Sequence, residues 1–223
     1  MANLKISPLF KISLMIILTV LLFVSFYFIK GPFLDKDTLV KKVETALADQ
    51  NVRQLSRILT SSNEDLVINE ENTKILMDYL QKNPDYTQSL LTVLHEQSRY
   101  YDDDSSKTGK EQPRIEGFLT LKKNTNSWLP DNYSIEIDPV YLTITTNSKH
   151  ATLMVNGEQV VKANEAIYEK KVGPLLPGEY KVEAKLKTND TDINEKKQVV
   201  LWNSDEKINL NLNDEEVGLD TNE

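Results

Sequence analysis

Residues 151–161 read ATLMVNGEQVV, and this stretch decides how the second half of the chain folds. Two short runs with strand character flank Asn156-Gly157. Asn-Gly is the preferred centre of a type I′ hairpin, because both central residues must take positive φ. Working outward, the same period of two recurs in Ile115–Leu121, Tyr133–Ile137 and Tyr141–Thr145 on one side. On the other side lie Tyr168–Val172, Tyr180–Lys187, Val199–Trp202 and Ile208–Leu212. Short strands at regular spacing predict a β-sandwich of the immunoglobulin-like kind over 140–213, preceded by a small β domain over 114–139. The pattern leaves open whether the two β pieces, before and after Pro139, pack as one domain or two. Residues 214–223 read as an acidic tail.

Upstream the period becomes helical. Asp37 is placed to cap a helix whose Leu39, Val40, Val43, Ala46 and Leu47 share one face. Asn51 breaks it, and Val52, Leu55, Ile58 and Leu59 continue as a second short helix. Asn69 caps a third, with Glu70 and Glu71 in the first turn, where the helix dipole favours acids. Asn83-Pro84-Asp85 ends that helix, because a residue before proline avoids the α region. Leu90, Leu91 and Leu94 mark a fourth. Residues 31–98 therefore predict a small helical bundle, and 99–113, RYYDDDSSKTGKEQP, a polar linker. The overall expectation is an α+β multidomain chain.

The N-terminus is different again. Ile12–Ile29, ISLMIILTVLLFVSFYFI, holds eighteen positions without a charge. As a helix it would be roughly 27 Å long, close to the hydrocarbon thickness of a bilayer. Residues 12–30 thus predict a transmembrane helix. Its exit, Phe28-Ile29-Lys30-Gly31-Pro32, lacks the small residues of a signal-peptidase site, which makes it an uncleaved signal anchor. Residues 1–11 carry Lys5 and Lys11 without an acid, so the N-terminus is expected in the cytoplasm and the C-terminus outside. Beyond Lys30 stand 23 basic and 34 acidic residues, a balance of −11.

Composition removes several function classes. The 223 residues include no cysteine, so disulfides, thiolate metal sites and cysteine nucleophiles are excluded. A formal net charge of −8 disfavours nucleic acid, whose binding depends on clustered Lys and Arg. Only His95 and His150 could act as imidazole bases, and neither sits in a nucleophile motif or metal-ligand spacing. Asp102-Asp103-Asp104 and Asn189–Asp192 fail as calcium loops, since Lys107 and Glu195 stand where glycine is needed. No cofactor, metal or catalytic residue is expected. Aromatic residues are the better binding material: Trp128, Tyr133, Tyr141, Tyr168, Tyr180 and Trp202 all lie in the β half, and most are expected in its core. Trp128 is the candidate ligand-binding residue, because the loop-like stretches on both sides would expose its ring. Free sheet edges are a second possible interaction surface.

Several stretches carry a family likeness. Tyr79-Leu80-Gln81-Lys82-Asn83-Pro84-Asp85-Tyr86 is followed by Leu119–Asn124 with Trp128. Then come Tyr141–Asn147, Val155-Asn156-Gly157-Glu158 and Gly173-Pro174-Leu175-Leu176-Pro177-Gly178-Glu179-Tyr180. Their shared order behind one apolar segment resembles the TcaA family of Gram-positive membrane proteins, linked to teicoplanin susceptibility and the cell envelope. Family members often begin with a cysteine-rich zinc ribbon and continue into a further C-terminal domain. This sequence shows neither, and reads as a short form. The resemblance implies a membrane-anchored binding or scaffolding protein of the envelope, acting in cell-wall stress or antibiotic response. Its partners would be the membrane and a cell-wall component or envelope protein. The alternative is a peptidoglycan hydrolase using two carboxylates, which 34 acids neither single out nor exclude.

Overall fold

The computed structural model describes residues 13, 15–22, 35–102, 118–124, 132–188 and 192–212. Residues 15–22 are helical, and the large apolar side chains among them, from Met15 to Leu22, are each more than half exposed. Among the described residues no helix is long and apolar enough to cross a membrane. Most other positions of the expected 12–30 segment lie outside the described residues, as do the linker beyond Asp102, the loop holding Trp128 and the tail.

Four helices follow. Helix α1 (Lys36–Ala48) is capped by Asp35, whose carboxylate accepts the Asp37 and Thr38 N–H groups. Asp35 therefore replaces the expected cap Asp37. The reason is geometric: extended backbone at Asp35 aims its carboxylate at the second and third helical amides, while Asp37 lies within the first turn. Asn51 caps α2 (Val52–Ile58) and Asn69 caps α3 (Glu70–Lys82). Asn83 ends α3 and starts α4 (Pro84–Tyr100), whose first position holds proline, where no amide donor is needed. Helix α4 runs two residues into the expected linker. Its last turns are fixed from the side: the Gln97 side-chain amide oxygen accepts the Leu121 N–H at 2.8 Å, and Ser98 donates to Asp37.

The helices do not close on themselves. A three-stranded sheet, ordered β1-β3-β2, covers them. It comprises β1 (Leu59–Thr60), β2 (Leu119–Asn124) and β3 (Asn132–Ile137), with β2 antiparallel and β1 parallel to β3. Leu39, Val43, Leu76, Leu80 and Leu94 from the helices share one core with Phe118, Leu121, Ile135 and Ile137. The segments expected to form separate helical and small β domains thus share a single α/β unit. Four short helices leave an apolar face open, and the alternating inner face of the β2–β3 hairpin fills it.

The remaining strands form two facing sheets. They are β4 (Val140–Thr146), β5 (Thr152–Val155), β6 (Glu158–Lys162), β7 (Tyr168–Leu175), β8 (Gly178–Lys187), β9 (Asp192–Leu201) and β10 (Glu206–Leu210). One sheet runs β10-β4-β7 and the other β6-β5-β8-β9. Leu142 and Ile144 meet Leu153, Val182, Ala184 and Leu210 in their common core. Asn156 and Gly157 take φ of 50° and 88°, the positive pair that the hairpin requires. The strand order is not the immunoglobulin one, in which the first strand pairs with the second. Here β4 pairs with β7 and, in parallel, with β10. The segment after β4 carries the chain across to the other sheet, and Asn147 and Ser148 there bond Leu212 just after β10, holding first and last strands together. Strand β9 begins at Asp192, ahead of the expected Val199, because an exposed edge strand needs no apolar alternation.

The two units pack on each other. Trp202, just past β9, inserts among Tyr79, Tyr86 and Phe118, with ring centroids 4.5, 4.1 and 4.4 Å away. Leu176 is buried in the α/β unit's core although it lies between two sandwich strands. Lys82 pairs with Glu179, and the Asn63 amide donates to the Tyr141 hydroxyl at 3.1 Å. A Cβ on Gly178 would stand 2.6 Å from Ile75 Cγ2, so this closest approach of strand to helix requires glycine.

Candidate functional site

Strands β6 and β7 are outer strands of their two sheets, and between them the sandwich stays open as a cleft of about 230 Å³. Val155, Val160, Val172, Leu175 and Tyr180 line it from the sandwich, and Leu66, Val67 and Ile75 close it from the α/β unit. Glu71, Asn72, Asn156 and Glu158 add polar groups to the lining. The Asn156-Gly157 turn places Glu158 there, and the Asn69 cap starts the helix that carries Glu71 and Asn72. Val67, 58% exposed, is one of the few large apolar side chains outside the N-terminal helix left in solvent.

The floor is rigid for a definable reason. Tyr180 is 3% exposed and donates its hydroxyl to the Leu176 carbonyl at 2.6 Å, four residues upstream. That is the arrangement of a tyrosine corner, which locks the entry of a strand to the preceding turn. Burial pushes the phenol well above its ordinary pKa, so it stays a proton donor. Gly173, at φ 131° and with a would-be Cβ 2.8 Å from the Tyr141 ring, lets the preceding segment fold tightly against β4. A second depression, about 310 Å³, lies between the end of α1 and the α3–α4 junction over Leu47, Met77 and Leu80.

The lining suits recognition: apolar walls take an aliphatic or aromatic group, and acids at the lining favour a cation beside it. Among the described residues no cluster of three or more His, Asp or Glu could hold a metal ion. His95 is half exposed, 3.9 Å from Glu44, and His150 is an exposed turn residue at φ 69°. Neither lines the cleft.

Trp128, the expected binding residue, lies outside the described residues. The other aromatics divide. Tyr180 is in the sandwich core and Tyr168 packs on it. Tyr141 carries Lys171 over its ring at 4.1 Å, and Tyr133 stacks edge-on with Tyr101 at 5.3 Å. Trp202, expected in the sandwich core, joins the two units instead. Sequence reasoning missed Val67, Ile75 and Leu66 as cleft residues, because nothing local shows that a helix-side loop will meet a strand edge. The one available signal was Leu176-Pro177-Gly178-Glu179-Tyr180, whose tyrosine corner fixes where β8 begins.

The break between the units, at Asp138-Pro139, is also where two family models meet. The model described as TcaA protein second domain matches residues 36–137, and that described as TcaA protein 3rd/4th domain matches 138–213. The chain belongs to the TcaA family. It is 30% identical over 187 residues to the "Uncharacterized membrane protein YvbJ" of Bacillus subtilis (strain 168). The match takes in 83% of this chain and 28% of that protein, so the chain spans less than a third of its relative's length. No solved structure matches it. Within the TcaA pattern, the second-domain match is the α/β unit and the 3rd/4th-domain match is the sandwich, and the cleft lies where they meet.

Proposed function

We propose that this TcaA-family chain is a single-pass membrane protein with an extracytoplasmic binding or scaffolding part in the Gram-positive cell envelope. Its N-terminus is cytoplasmic, and its α/β unit and sandwich stand outside. The observation that carries the anchor is the row of apolar side chains at positions 15–22, exposed on every side of a helix. In water such a surface is costly; in lipid it is satisfied. The relative's name, a membrane protein, supports the same placement. Outside the membrane the chain works by binding without catalysis, and the cleft between the units is its recognition site. It takes an apolar group flanked by a cation from a wall component or an envelope protein. The family likeness supports a role in cell-wall stress or the glycopeptide-antibiotic response.

Two experiments test this. The chain has no cysteine, so single thiols report topology cleanly. In intact cells a membrane-impermeant maleimide should label Ser62→Cys, and label Asn3→Cys only after lysis; the reverse would invert the orientation. For binding, the full chain in detergent micelles is passed over purified peptidoglycan. Saturable retention, weakened by Val67→Asp or Trp128→Ala and indifferent to acid-to-amide changes away from the cleft, supports a wall-binding module. A single acid whose amide variant abolishes release of soluble wall fragments would instead make the protein a hydrolase.

A further inference from the structure

The α/β unit has two distinct ends. At one, the first turn of α4 meets Trp202 and the sandwich through Tyr86. At the other, the last turn of α4 meets the start of α1: Lys36 Nζ lies 2.8 Å from Asp102 and 3.0 Å from Asp37. The end of the β2–β3 pair where Lys123 and Asn124 stand opposite Tyr133 and Asn132 lies there too, since Tyr101 donates to the Leu121 carbonyl at 3.3 Å and packs against Tyr133. Tyr100, Tyr101 and Tyr133 form a run of half-buried rings with successive centroids 5.3 Å apart. Helix α4, at 17 residues about 25 Å long, separates the two ends.

We infer that the end carrying Tyr100, Tyr101 and Tyr133 rests on the headgroup region of the bilayer, with the sandwich held about one helix length above it. The inference rests on the membrane anchoring proposed above. Chain length is its first support. Six peptide steps separate Ile29, the end of the apolar segment, from Asp35, a reach of about 22 Å at most from the hydrocarbon edge. The start of α1, and whatever packs beside it, is tethered within that distance. Residue type is the second support. Tyrosine combines an apolar ring with a polar tip and concentrates at membrane–water interfaces. Charge is the third. The outer chain is acidic as a whole, yet here Lys36 sits between Asp37 and Asp102, Lys122 pairs with Glu136, Arg99 stands in the last turn of α4 and Lys123 stands opposite Tyr133. The bases at this end offset its acids, so an anionic leaflet meets less net negative charge here than the outer chain carries as a whole.

The test uses the full chain in nanodiscs of phosphatidylcholine and phosphatidylglycerol, with single-cysteine variants carrying a fluorophore. Thr19→Cys reports the span, Asn124→Cys the hairpin end, and Lys187→Cys the end of β8 remote from its contact with α3. A nitroxide at the lipid headgroup should quench the Asn124 label about twofold and leave the Lys187 label unchanged, and an acyl-chain nitroxide should quench Thr19. Replacing Tyr100 and Tyr133 together by serine should relieve quenching at Asn124 while quenching at Thr19 persists. Quenching at Thr19 without any at Asn124 overturns the inference and leaves the anchor standing. Equal quenching at Asn124 and Lys187 overturns the upright orientation. An unquenched Thr19 removes the anchor and the inference together.

Discussion

At its first turn α4 is held by the Trp202 ring cluster; at its last turn, beside the Gln97 bond and the Tyr101–Tyr133 ring pair, it is held by a lysine, two aspartates and a serine. The first junction is apolar and non-directional, and it gains by excluding water from Trp202, Tyr86, Tyr79 and Phe118. The ion pairs of the second leave Asp37 and Asp102 largely exposed, and each gains little. The comparison teaches where rigidity is placed. The sandwich is fixed to the α/β unit by buried rings, whereas the ion pairs at Lys36 are contacts that solvent can replace.

The largest effect expected from breaking this contrast is at Trp202. Trp202→Ala removes three ring contacts at 4.1 to 4.5 Å and should lower stability by about 3 kcal/mol. Urea unfolding should change from one transition to two as the units uncouple; a single unshifted transition would mean that Trp202 is not what joins them. Gly178→Val comes next, because its side chain must displace Ile75 Cγ2 from 2.6 Å and wedge β8 away from α3, at a cost of about 2 kcal/mol. Tyr180→Phe is smaller. It strands the buried Leu176 carbonyl, costs about 1 kcal/mol, and leaves the apolar packing in place. A loss at Tyr180→Phe equal to that at Trp202→Ala would show that the corner, and not the ring cluster, fixes the junction.

How much of this could be read beforehand follows the kind of interaction. The hairpin at Asn156-Gly157 and the caps Asn51 and Asn69 are local, and the residues that make them stand within a few positions of one another. The strand order is not local. That β4 would pair in parallel with β10 depends on Leu212 meeting Asn147, contacts 65 residues apart that no periodicity encodes. Strand β1 was illegible because two residues cannot show a period. The strand pattern of Val199–Trp202 puts Trp202 in the sandwich core, yet alternation says only that a side chain is buried, not which core receives it. The cleft was least visible. Its walls come from a loop, a helix and two outer strands, each of which reads locally as an ordinary surface.

The smallest expected effect separates the two ends of α4 by pH. Hydrogen bonds from Thr38 hold Asp35 below the usual carboxylate range, and those from Ser98 and Lys36 do the same for Asp37. Groups with a depressed folded pKa add stability above their unfolded value near 3.8, and that stability is lost as pH falls through the folded value. Acid should therefore loosen the start of α1 by about 0.5 kcal/mol, the carboxylates being well exposed. At the other end burial raises Tyr86 above 10, a shift whose contribution is full below that value and lost only as pH rises past it. Lys36 has the same sign, since burial opposes its charge but the bonds to Asp102 and Asp37 outweigh it and raise it above 10.5. Alkali thus weakens both ends, and acid only one. Between pH 6 and pH 3, the protection of the Thr38 and Leu39 amides, exchange taken relative to the intrinsic rate at each pH, should fall about twofold while the emission of Trp202, read in a Trp128→Phe background, stays constant. Emission that shifts in step with the exchange would show that the two ends open as one unit, which their different chemistry argues against.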